Sequence, residues 1–94
     1  MTVSDLRLAD VRKIGFNDPV EVQGRKLHIQ TEVITREGVI FRTVVLEGGV
    51  VRFLENRPCP PEITDLGALT ACVKSQHEEL LDTIKQGAPW LAST

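Results

Sequence analysis

Between Val20 and Glu55 the chain alternates short runs of β-branched residues with glycine. Val20-Glu21-Val22 meets Gln23-Gly24, and Leu27–Ile34 meets Thr35-Arg36-Glu37-Gly38. Val39–Leu46 then meets Glu47-Gly48-Gly49, and Val50–Glu55 follows. Strand-forming runs punctuated by glycine turns predict consecutive hairpins, hence an antiparallel β-meander of three to four strands.

The two clearest turns can be combined into one register. If Ile34 pairs with Val39 across the second turn, Thr31 faces Arg42 and Ile29 faces Val44. If Gly48-Gly49 is a two-residue loop, Leu46 faces Val51, Val44 faces Phe53 and Arg42 faces Glu55. Both pairings put Leu27, Ile29, Val33, Ile40, Val44, Leu46, Val51 and Phe53 on a single apolar face.

Arg57-Pro58-Cys59-Pro60-Pro61 cannot continue a central strand, because proline supplies no ladder donor, so it reads as a stiff connector. Beyond it, from Thr64 or Asp65 to Gln86, Leu66, Leu69, Val73, Leu80 and Ile84 recur with a period near 3.6, Cys72 alongside. They predict one long amphipathic helix, capped by Asp65, ended by Gly87 and barred from resuming by Pro89. At the other terminus, Ser4, Asp5, Arg12, Lys13 and Gly15 suit the ends of a short helix, although Leu6 and Leu8 alternate as in a strand. Asn17-Asp18-Pro19 reads as a break. The expectation is an α+β fold forming a single domain over 1–94, with the meander covered on one face by the C-terminal helix.

Both apolar surfaces are interrupted. The helical stripe meets Gln76 and His77 where an apolar side chain is due, and the sheet face meets the row Thr31, Arg42, Glu55. If the helix crosses that face, these five residues form a partly buried polar cluster. Desolvated polar groups cost free energy unless each finds a partner, so the cluster is expected to be a hydrogen-bond network that fixes the helix on the sheet. A ligand pocket in the same place is the alternative.

The opposite sheet face carries His28, Gln30, Glu32, Phe41, Thr43, Val45, Arg52 and Leu54, an apolar patch beside a polar row. One helix cannot cover two faces. This second face is therefore the expected interface with a protein partner or a second copy, unless the N-terminal segment folds over it.

Composition narrows the function. Apolar residues make up 41% and charged residues 26% of the 94, ordinary for a folded domain and unlike a disordered one. A formal charge of −2 with no basic stripe gives no general attraction to nucleic acid. No apolar run approaches the roughly 20 residues that span a bilayer, and the start lacks a signal-peptide pattern, so the cytoplasm is the expected location. Cys59 and Cys72 are too few for a tetrahedral zinc site, His77-Glu78 lacks metalloprotease spacing, and Gly48-Gly49 does not open a helix as a phosphate loop does. No spacing pairs a nucleophile with a base, so no catalytic residue, metal or cofactor is assigned.

Three stretches also have the look of a family. His28-Ile29-Gln30-Thr31-Glu32, Leu46-Glu47-Gly48-Gly49-Val50-Val51 and the helix carrying Gln76-His77 and ending at Gly87 resemble a group of small, mostly uncharacterised bacterial proteins. The resemblance covers about two-thirds of the chain and carries no activity with it. It implies only that His28, Gln30, Thr31, Glu32, Gly48, Gly49, Gln76 and His77 belong to a shared feature. The leading functional expectation is a non-catalytic adaptor or scaffold module. A regulator of a signalling or polarity GTPase, and a small-ligand protein or enzyme using Thr31, Arg42, Glu55 and His77, are the alternatives.

Overall fold

The computed structural model describes residues 11, 13–35 and 38–87. Four strands form an antiparallel meander in the order β1-β2-β3-β4: β1 Gly15–Val22, β2 Arg25–Ile34, β3 Ile40–Glu47 and β4 Val50–Pro58. The helix α1, Leu66–Lys85, packs across one face. The short helix expected over residues 4–14 lies largely outside the described residues, as does Pro89.

Two of the three hairpins turn as tightly as a chain can. Val22 pairs with Arg25 around Gln23-Gly24, and Glu47 pairs with Val50 around Gly48-Gly49. Both central residues of each turn have positive φ, 54° and 76° in the first, 56° and 82° in the second. That conformation matches the twist of the flanking strands and favours glycine.

β1 begins earlier than the sequence suggests. Asn17-Asp18-Pro19 does not break the chain but runs through the strand, Asp18 opposite Ile29 and Pro19 opposite His28. Proline is tolerated because β1 is an edge, with no neighbour asking for the missing N–H.

The middle hairpin overturns the expected register. Ile34 pairs with Ile40 rather than Val39, which moves β3 by one residue against β2 and reverses every side chain on it. Phe41, Thr43 and Val45 therefore face the helix and are buried, whereas Ile40, Arg42 and Val44 face the other way. The physical reason is Arg42. The expected register would bury its guanidinium under the helix, whereas the observed one buries a phenyl ring, a hydroxyl and a valine. A second irregularity follows in β4. Val45 pairs with Phe53 but Leu46 with Val51, so Arg52 is an extra residue in a β-bulge. The bulge brings Phe53 and Glu55 back to the helix side, where they were expected, and leaves Val51 exposed.

α1 starts as its sequence requires. Asp65, in extended conformation, accepts a hydrogen bond from the Ala68 N–H at 2.8 Å, and Gly87 follows the last turn with φ 91°. Its buried positions are Leu69, Val73, Gln76, His77, Leu80 and Ile84. They divide the core in two. Leu69 and Val73 join Val11, Ile14, Val33 and Phe41 at one end; Ile84 joins Val22, Leu27, Ile29 and Val45 at the other. Between the two apolar clusters lies a layer of polar side chains.

Candidate functional site: a buried polar chain under the helix

The polar layer is built on one cross-strand row. Phe16, Thr31, Thr43 and Glu55 stand opposite one another on β1 to β4, all on the helix side. Gln76 and His77 come down onto this row from the middle of α1. Thr31, Thr43, Gln76 and His77 are each no more than 3% exposed.

Their hydrogen bonds form a line. Gln76 Nε2 lies 3.1 Å from Thr43 Oγ1 and 3.3 Å from the Phe41 carbonyl. Thr43 Oγ1 lies 2.8 Å from Thr31 Oγ1, which lies 2.7 Å from His77 Nδ1. His77 Nε2 lies 2.7 Å from Asp18 Oδ2. The groups at the two ends of the line have fixed roles. The Gln76 amide nitrogen can only donate and the Asp18 carboxylate can only accept. Gln76 therefore donates to Thr43 and His77 Nε2–H to Asp18, while the two threonine hydroxyls, each able to donate and accept, join these ends through His77 Nδ1. Both ring nitrogens of His77 are thus engaged, and Phe16 covers the ring at 5.8 Å between centroids.

Asp18 is the one member that reaches solvent, its side chain 52% exposed. The order carboxylate, imidazole, hydroxyl has the composition of a nucleophile relay, but the hydroxyl at its end is sealed. Thr31 is 1% exposed and its oxygen is shared with Thr43, so a substrate could not reach it without displacing α1. The arrangement is that of a structural network.

Of the five residues expected in the cluster, the fold brings Thr31 and His77 into direct contact and joins Gln76 to them through Thr43. Glu55 lies on the same row but turns to Arg57, whose Nε is 2.5 Å from a Glu55 oxygen. Arg42 does not join. On the far face its Nε donates to Asn56 Oδ1 at 2.9 Å, and Thr43 takes its place under the helix. Of the residues expected at an outer interface, Phe41, Thr43 and Val45 are instead buried beneath α1, by the same shift of β3. His28, Gln30, Glu32 and Leu54 do lie on the outer side, whereas the bulge at Arg52 lets its guanidinium turn to Glu47, which bonds Arg25 on the helix side. His28 is thus separated from His77 by the thickness of the sheet.

Two participants escaped the sequence reading. Thr43 was assigned to the wrong face. Asp18 falls in the Asn17-Asp18-Pro19 stretch that reads as a break, although Phe16, Asp18, Val20 and Val22 alternate as one side of a strand does.

Charged side chains fasten the margins of the sheet. Arg57 donates from both terminal nitrogens to the two oxygens of Glu79 on α1, each at 3.0 Å. That fork holds the Glu79 carboxyl below its ordinary range and raises the Arg57 guanidinium. Arg25 makes an equivalent fork on Glu47 at 2.6 and 3.0 Å, with Arg52 3.5 Å away, and the hydrogen bonds from Arg25 lower the Glu47 carboxyl in the same way. Burial pushes the Cys59 thiol up.

Comparison with known proteins finds no relative: no family model, no curated protein and no solved structure matches this chain. Among the described residues, no helix is long and apolar enough to cross a membrane.

Proposed function

We propose that this domain is a non-catalytic protein-interaction module, and that its contact surface is the β4 edge with the adjoining outer face of the sheet. The occupant is an extended segment of a protein partner that adds to β4 as a fifth strand. The carrying observation is the contrast between the two edges. β1 is guarded by Pro19, which has no N–H to offer. β4 has no proline before Pro58 at its end, and it exposes Val50, Val51 and Leu54 at 58%, 55% and 47%. The bulge at Arg52 bends the strand near the turn, and β4 stands last in the sheet with β3 as its neighbour in the order β1-β2-β3-β4. The sealed state of the Thr31–His77 network favours this reading over a ligand or enzyme site at that place.

The test compares the natural chain with Leu54→Lys. Light scattering and affinity capture should show a complex, with a partner or with a second copy, that the variant loses while its thermal midpoint stays the same. A strict monomer that retains no partner overturns the proposal, and so does a complex that survives Leu54→Lys.

A further inference from the structure

Cys59 and Cys72 are both free thiols and both half-buried. Cys59 sits in the connector just past β4, where its N–H donates to the Val39 carbonyl at 2.9 Å and holds the backbone in place. Cys72 sits on α1 at the margin of the buried stripe. The two pack against the same apolar cluster of Val33, Phe41, Leu69 and Val73. A cavity of about 210 Å³ between connector and helix is lined by Cys72 together with Pro58 and Pro60, the residues on either side of Cys59. Cys72 therefore faces the short segment that carries the other thiol, and the cavity gives a small reagent access to it.

We propose that Cys59 and Cys72 are a thiol–disulfide exchange site, forming a reversible bridge that ties the connector to α1. The oxidant is a low-molecular-weight disulfide such as oxidised glutathione. The Cys72 thiolate attacks one sulfur of the reagent, giving a mixed disulfide and releasing one glutathione thiolate. The Cys59 thiolate then attacks the Cys72 sulfur, the protein bridge forms, and the second glutathione leaves as a thiolate. The protein loses two electrons and two thiol protons; the reagent gains the electrons, and its two thiolates take up protons according to pH. Cys72 lines the cavity and Cys59 does not, so Cys72 is the attacking residue and Cys59, whose thiol burial pushes up, is the resolving one. The rate should climb about tenfold per pH unit across the neutral range, since the reactive species is the thiolate. The bridge would close a short loop made of the connector and the first turns of α1, which should raise the thermal midpoint by several degrees.

The experiment incubates the full chain with oxidised glutathione at mildly alkaline pH, quenches it in acid, alkylates the remaining thiols and measures the intact mass. The expected product has lost two hydrogens, takes up no alkylating reagent, melts several degrees higher and reverts with dithiothreitol. Cys59→Ser should instead accumulate a stable glutathione adduct at Cys72, with folding checked by its melting curve. Two glutathione adducts on the natural chain, two thiols still open to alkylation, or a bridge joining two molecules would each overturn the proposal.

Discussion

His77 on the helix donates its Nε2–H to Asp18 on the opposite edge of the sheet, at 2.7 Å. The bond links the centre of α1 to β1, one of the two edge strands, and anchors one end of the buried hydrogen-bond line.

Replacing His77 by Leu should therefore cost more than one hydrogen bond. The variant leaves the Thr31 hydroxyl without its partner on the ring and puts an isobutyl group against a carboxylate. A loss of about 2–3 kcal/mol in urea unfolding is expected, from the usual cost of stranding a buried polar group. Asp18→Asn should cost less, about 1 kcal/mol, because Asp18 is half in solvent. A double-mutant cycle across the pair should give a coupling of about 0.5–1.5 kcal/mol, and zero coupling would mean that the contact is not made in solution.

Thr43 accepts from Gln76 and shares a hydrogen bond with Thr31, so its substitutions should be strongly non-additive. Thr43→Val keeps the shape, removes the relay in the middle of the line and should destabilise by about 1–2 kcal/mol. Adding Gln76→Leu removes the stranded amide as well, including an Oε1 that is buried without a partner. The double variant should then lose clearly less than the sum of the two single losses, as read from denaturant midpoints.

The Arg57–Glu79 fork predicts a pH dependence. Glu79 binds its proton less readily when folded than when unfolded, because Arg57 bonds its charged form. Its contribution is fully present above the unfolded carboxylate value and disappears as pH falls through the lower, folded one. Solvent exposure keeps the effect small. Arg57→Gln should flatten the acid limb of a stability-against-pH curve while leaving the neutral-to-alkaline part parallel to that of the natural chain.

Gln23 is a non-glycine residue held at φ 54° in a two-residue turn. Asparagine enters that region more readily and is favoured at the first position of such turns. Gln23→Asn should stabilise by about 0.5–1 kcal/mol in chemical denaturation, with no change in the folded spectrum.

How much of this was legible in the sequence depends on what set each element. Strand β2 and the helix could be read because periodicity and caps are local: Leu27, Ile29, Thr31 and Val33 alternate, and Asp65 and Gly87 mark the helix ends. The place where Gln76 and His77 meet the sheet was legible as well, because two interruptions of two apolar patterns had to coincide. Strand β3 was not. Ile40, Arg42, Val44 and Phe41, Thr43, Val45 are both plausible inner faces by alternation, and the choice was made by the cost of burying Arg42 across the sheet. Nor does any local signal mark the bulge at Arg52, which arises from keeping Phe53 in the core beside Val45. Asp18 was hidden by Pro19, whose usual meaning as a breaker is suspended at a sheet edge.

The inequality of the two edges also limits how far any assembly can grow. If β4 accepts a strand from another protein, the edge that this chain still offers is β1 with Pro19, which has a donor missing from its ladder. If it accepts β4 of a second copy, the two open edges use each other up and only the two guarded ones face outward. Either way this chain offers one open edge and one guarded one, so copies of it pair once and do not chain edge to edge into a fibre.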